Sequence, residues 1–128
     1  MVKELANQLQ LNQAIGDWVA AHTGVTAVSS DTLEVATTAI DSYGDTVYCF
    51  VQQVGEQYIV TDDGRMLFKL DPGISDADLY EATAEIALGA GYDFNEENCE
   101  ISVQVEQENL AQAIVKLAQL QVAISYLG

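Results

Sequence analysis

The chain has 128 residues, 49% of them hydrophobic, with 20 Asp and Glu against 4 Lys and Arg for a net charge of −16. One domain-sized core fits that length, and the apolar fraction excludes a disordered acidic tail. No run approaches the ~18 apolar residues of a membrane span and no basic-then-apolar leader opens the chain, while the charge disfavours direct nucleic-acid binding because it repels phosphates.

Residues 2–22 are predicted as a helix, since Leu5, Leu9, Leu11, Ile15, Trp18 and Val19 recur at three- and four-residue spacing. Gly24 stands where a C-terminal cap belongs, and His22, in the last turn, lies where the helix dipole favours a cation. Thr32–Thr38 alternates as a short strand, and Asp41-Ser42-Tyr43-Gly44-Asp45 is a turn cluster. Thr46–Val54 carries Val47, Cys49 and Val51 on one face and Tyr48 and Phe50 on the other, the pattern of a central strand. Gly55-Glu56 is a two-residue hairpin turn into the strand Gln57–Thr61. Residues 65–70 fit either a helical turn or a strand, and Pro72-Gly73 ends them.

Ser75 is the expected N-cap of a helix over 76–90, with Asp78 completing an imperfect capping box. Glu100–Glu106 alternates with Ile101, Val103 and Val105 inward, and residues 108–127 form a long closing helix. That helix is apolar all round apart from Glu108 and Lys116, so it must be covered on more than one side. Either it lies between the sheet and the first helix or it packs on a second copy; the need to bury Trp18 favours the first arrangement. The order of elements gives a single α+β domain over 1–128, an antiparallel sheet of about four strands with three main helices.

A single histidine excludes a multi-histidine metal site, so His22 reads as a helix-end residue. Cys49 and Cys99 form no CxxC pair and read as two core thiols. Asp62-Asp63-Gly64 follows a strand, where its carboxylates could bind Mg²⁺ or Ca²⁺, but without the alternating acids of a calcium loop. A turn capped by the two Asp residues, with Gly64 at positive φ, is the favoured reading, and neither a cofactor nor enzymatic activity is expected.

The distribution of charge is more informative. Between Lys69 and Lys116 there is no Lys, Arg or His. On the middle helix Asp78, Glu81 and Glu85 fall within about 60° of one another, at axial steps of ~4.5–6 Å. Asp76 at its start, with Asp93, Glu96, Glu97 and Glu100 beyond its end, extends the acid, and these eight residues are the expected partner-binding set. A surface serving only solubility mixes both signs. A compact domain of this length spans roughly 36 Å, and duplex DNA that long carries about 20 phosphates, comparable to the protein's excess charge.

From about Thr46 to Leu127 the chain also resembles a small family common in phages and mobile elements of Gram-positive bacteria and catalogued as a domain of unknown function. The likeness rests on Thr61-Asp62-Asp63-Gly64 followed by Leu67 and Leu70, a TDDG-x-x-L-x-x-L pattern, then Gly73, Gly91, the strand around Ile101 and the closing apolar helix. Many relatives carry a basic residue in the middle helix, where this chain has only acids. In size and acidity the chain is similar to phage anti-CRISPR proteins, several of which imitate nucleic acid. These likenesses imply an inhibitor in the cytoplasm of a host bacterial cell, blocking DNA binding by a basic nucleic-acid-binding protein such as a Cas9-type nuclease. The alternatives are a metal-binding or enzymatic domain centred on Asp62 and Asp63, or a structural or regulatory mobile-element protein that is a homodimer through the 108–127 helix.

Overall fold

A computed structural model of the chain describes residues 7–128. In chain order the elements are α1 (Gln8–Ala21), β1 (Gly24–Ala27), β2 (Thr32–Ile40), β3 (Thr46–Val54), β4 (Gln57–Thr61), α2 (Arg65–Leu70), α3 (Ala77–Gly89), β5 (Asp93–Phe94), β6 (Ile101–Glu106), a 3₁₀ turn (Gln107–Asn109) and α4 (Leu110–Ser125). The fold is α+β, but the antiparallel sheet has six strands in the order β1-β2-β3-β4-β6-β5 where about four were expected. The two extra strands are the edges, four and two residues long. Neither is long enough to show an alternating pattern. Gly24 opens β1 instead of capping α1, whose C-cap is His22.

The centre of the sheet follows from local chemistry. Gly55, at φ +63°, makes the turn that pairs Val54 with Gln57, and this register sets Val51 opposite Val60. Val60 in turn faces Val103 on β6, so three β-branched side chains line one face across three strands. Asp41–Asp45 closes the β2–β3 connection, with the Asp41 N–H donating to Asp45 O at 2.9 Å. A bulge interrupts the β2–β3 register between Ala36 and Ile40. There the Thr37 hydroxyl donates to Val47 O at 2.7 Å.

Helix α4 supplies the other half of the core. Its Ala113, Leu117, Ala118 and Ile124 are buried with Val35, Cys49, Val60 and Ile101 of the sheet. Each large side chain buried there contributes about 1.5–3 kcal/mol. The Gln121 amide, also buried, donates to Tyr48 O at 3.0 Å, and the Tyr92 hydroxyl donates to Ala113 O at 2.7 Å.

Helices α2 and α3, not the first helix as expected, pack against α4, and one stripe of α4, with Gln112, Val115, Lys116 and Gln119, stays exposed. No residue of α1 is buried, and Trp18 is 54% exposed, its ring stacked only on His22 at 4.0 Å between centroids. Asn7 caps α1, accepting from the Gln10 N–H at 3.0 Å; Leu5 and the start of the predicted 2–22 helix lie outside the described residues. The ambiguous segment 65–70 is helical. Among the described residues, no helix is long and apolar enough to cross a membrane.

Candidate functional site

The acidic residues singled out in the sequence lie on α3 and on the connection from β5 to β6. Leu79, Thr83 and Ala87, at four-residue steps, are the buried stripe of α3. That stripe fixes the rotation of the helix and turns Asp78, Glu81 and Glu85 to solvent. The N-cap is Asp76 where Ser75 was expected: the Asp76 carboxylate accepts from the Leu79 N–H at 3.1 Å, and the Ser75 hydroxyl donates to Asp71 at 3.1 Å. A carboxylate suits this position better than a hydroxyl because it also meets the positive end of the helix dipole.

Beyond β5 the chain makes a tight turn around Asn95. Its side-chain oxygen accepts from the Glu97 N–H at 2.8 Å, and its backbone oxygen from the Cys99 N–H at 2.8 Å. Glu96 and Glu97 sit at the exposed tip, and Asp93 is exposed at the start of β5. Tyr80 joins this turn to α3. Its hydroxyl donates to Glu96 O at 2.7 Å, and its ring meets Phe94 edge-on at 5.2 Å. Two acidic segments separate in sequence thus become one rim, with Tyr80 as the residue that locks them. Glu100 is half-buried and accepts from the Thr61 hydroxyl, so it serves the fold as well.

The Asp62 side chain is fully buried at the foot of the rim. Its Oδ1 accepts from the N–H groups of Gly64 and Ile101, both at 2.8 Å, and its Oδ2 from Met66 N–H at 3.4 Å. Burial pushes its carboxyl up to about 6, against the three backbone N–H groups that hold it down, with Glu100 adding to the rise. Asp63 is exposed at φ 60° and Gly64 follows at φ 70°. Both oxygens of Asp62 are therefore engaged with the backbone. Among the described residues no group of three or more His, Cys, Asp or Glu is placed to hold a metal ion.

Residues 37–124 match the family described as Domain of unknown function DUF1828. The chain belongs to this family. Neither curated proteins nor solved structures include a significant match to the chain. The DUF1828 region contains the Asp62 turn and the whole acidic rim, from Asp76 to Glu100, together with most of α4; α1 and β1 lie outside it.

The described cations of this DUF1828 chain are all committed elsewhere. Arg65 lies 3.8 Å from Asp63 with its guanidinium 4.5 Å from the Phe50 ring centre. The Lys69 ammonium lies 2.6 Å from both Asp41 and Asp45. Lys116 projects over Tyr92 at 5.9 Å. No described cation comes within ion-pair distance of any of the eight rim residues.

The Lys69 cluster is the polar feature that sequence reasoning missed. Asp41 is buried, and burial would raise its carboxyl. Lys69 and the N–H groups of Tyr43 and Asp45 outweigh that and leave it below the usual carboxylate range. The cluster opens into a cleft of about 400 Å³ lined by Arg65, Met66 and Gln121 as well. The turn signal at Asp41–Asp45 was legible, but the pairing with Lys69, 28 residues away in sequence, was not. Cys49 and Cys99 are free and buried, with burial pushing the Cys49 thiol up to about 12.

Proposed function

We propose that this DUF1828 protein is a non-enzymatic inhibitor that binds through its acidic rim to a basic nucleic-acid groove of a host protein. Asp78, Glu81, Glu85, Asp93, Glu96 and Glu97 make the contacts; Asp76 and Glu100 hold the two ends of the rim in place. The observation that carries this reading is the absence of any described cation within reach of a rim held rigid by Tyr80 and Asn95. Three carboxylates spaced ~4.5–6 Å apart along one helix repel one another, and a basic partner relieves that repulsion. A preorganised array loses little side-chain freedom on binding and steers encounter through its field. Given the resemblance to phage proteins, a Cas9-type nuclease in the host cytoplasm is the first partner to examine, with its DNA-binding step as the one blocked.

The test is a titration of purified nuclease with the protein between about 50 mM and 200 mM salt, with DNA as competitor. Affinity should fall steeply with salt, and DNA and protein should exclude each other. The triple variant Glu81→Lys, Glu85→Lys, Glu97→Lys should bind at least about a hundredfold more weakly. Binding that is flat in salt and indifferent to the three reversals would refute the mimicry.

A further inference from the structure

We propose that the protein is a homodimer in which α1 of each protomer lies across the bare end of the sheet and α4 of the other. The starting point is α1 itself. A helix of 14 residues is marginal in water without tertiary packing, and this one buries no residue. Leu11, Ile15, Trp18 and Val19 nevertheless form a single stripe about 100° wide, the pattern of a helix face made for contact.

The complementary surface is on the same chain. Val25 on β1 pairs with Val35 on β2, and Leu33 pairs with Ala27, so these four side chains share the face that α4 covers farther along the sheet. Among the described residues this end is uncovered: Val25 is 60% exposed, Leu33 41%, and Val115 on α4 56%. Beside Val115 lies an apolar groove of about 240 Å³, bounded by Val19 and Thr23 at the end of α1, Val35 and Ala39 on β2, and Ile114 and Val115 on α4. A protruding apolar helix beside an uncovered apolar groove is self-complementary under a two-fold axis. The exposed part of these residues, with Leu9, comes to on the order of 700 Å² per protomer, near the ~800 Å² each side supplies in a standard interface.

Charge selects the second copy as the occupant. In a chain of net charge −16, the charged side chains of α1, β1 and α4 are only Asp17 and Lys116, which are of opposite sign. This is the surface on which two such molecules meet without setting carboxylates against each other. A lipid surface fits poorly, because α1 carries no Lys or Arg and the whole chain repels anionic headgroups. Both α1 and β1 lie outside the region that matches DUF1828, while the α4 side of the groove lies within it.

Trp18 is the one tryptophan of the chain and sits in the stripe, which makes it the reporter. Sedimentation equilibrium over about 1 to 100 μM should show a species of twice 13.8 kDa, with Trp18 emission shifting to the red as dilution dissociates it. Ile15→Glu and Val115→Glu, both at exposed positions, should each raise the dimer dissociation constant at least about a hundredfold while the rest of the fold keeps its cooperative unfolding transition. A mass of 13.8 kDa throughout, with water-exposed Trp18 emission, would overturn the proposal. So would a dimer insensitive to both substitutions, or a monomer whose Trp18 emission shifts only on adding phosphatidylcholine vesicles.

Discussion

Oδ1 of Asp62 accepts the N–H of Ile101 at 2.8 Å, tying the end of β4 to the start of β6 across 39 residues of sequence. The same atom accepts from Gly64, so one buried carboxylate closes the turn into α2 and sets the register of its neighbouring strand. In the fold its pKa is about 6, above the ordinary carboxylate value of 3.8. The sign is therefore that of a buried acid: its contribution is fully present below about pH 4 and is lost as pH rises through 6. The difference corresponds to a cost on the order of 3 kcal/mol at pH 7. The midpoint of thermal unfolding should accordingly rise between pH 7 and pH 5. Asp62→Asn keeps the oxygen that holds Gly64 and Ile101 and should flatten this pH dependence. Asp62→Ala leaves three buried N–H groups unpaired and should destabilise by about 2–4 kcal/mol in urea titrations. An unaltered pH profile in Asp62→Asn would contradict the assignment.

Gly64 is constrained twice. It sits at φ +70°, and a Cβ placed on it would come 2.5 Å from the Asn98 carbonyl oxygen. Backbone, unlike a flexible side chain, cannot move aside there without disturbing the turn below Glu96 and Glu97. Gly64→Ala should cost about 3 kcal/mol or more, measurable as a shift of the urea midpoint at constant slope.

Removing the Lys69 ammonium leaves Asp41 buried and charged. Lys69→Ala should destabilise by about 2–4 kcal/mol at neutral pH. Because the Asp41 carboxyl lies below its usual value, the stability it contributes is present above pH ~3.8 and is lost as pH falls further. The penalty of Lys69→Ala should therefore shrink in acid. The double variant Lys69→Ala, Asp41→Asn should recover part of the loss, which a double-mutant cycle would read directly.

Neutralising rim charges separates binding from folding. Glu81→Gln and Glu85→Gln remove like-charge repulsion on an exposed helix face, so stability should stay within about 0.5 kcal/mol of the parent or rise. Partner binding should weaken in the same variants. Tyr80→Phe tests the lock: it loses the 2.7 Å bond to Glu96 O and should weaken binding without altering the protein's charge. Equal effects on folding and on binding in all three would mean that the rim is only part of the scaffold.

The hairpin of β3 and β4, with Gly55-Glu56 between them, was legible to the residue, and so was the charge of −16. Strand alternation, turn chemistry and a run of like charges reside in neighbouring residues, so a linear reading finds them. What covers a helix is decided differently, by competition among surfaces distant in sequence. α2 and α3 pack against α4 where the sequence assigned that place to α1, and no residue of α1 is buried. The same competition buried Asp62 beneath Ile101, brought Tyr80 to Glu96 and set Lys69 between Asp41 and Asp45. Each of those contacts spans at least 16 residues, and only the packed sheet brings the partners within a hydrogen bond's reach.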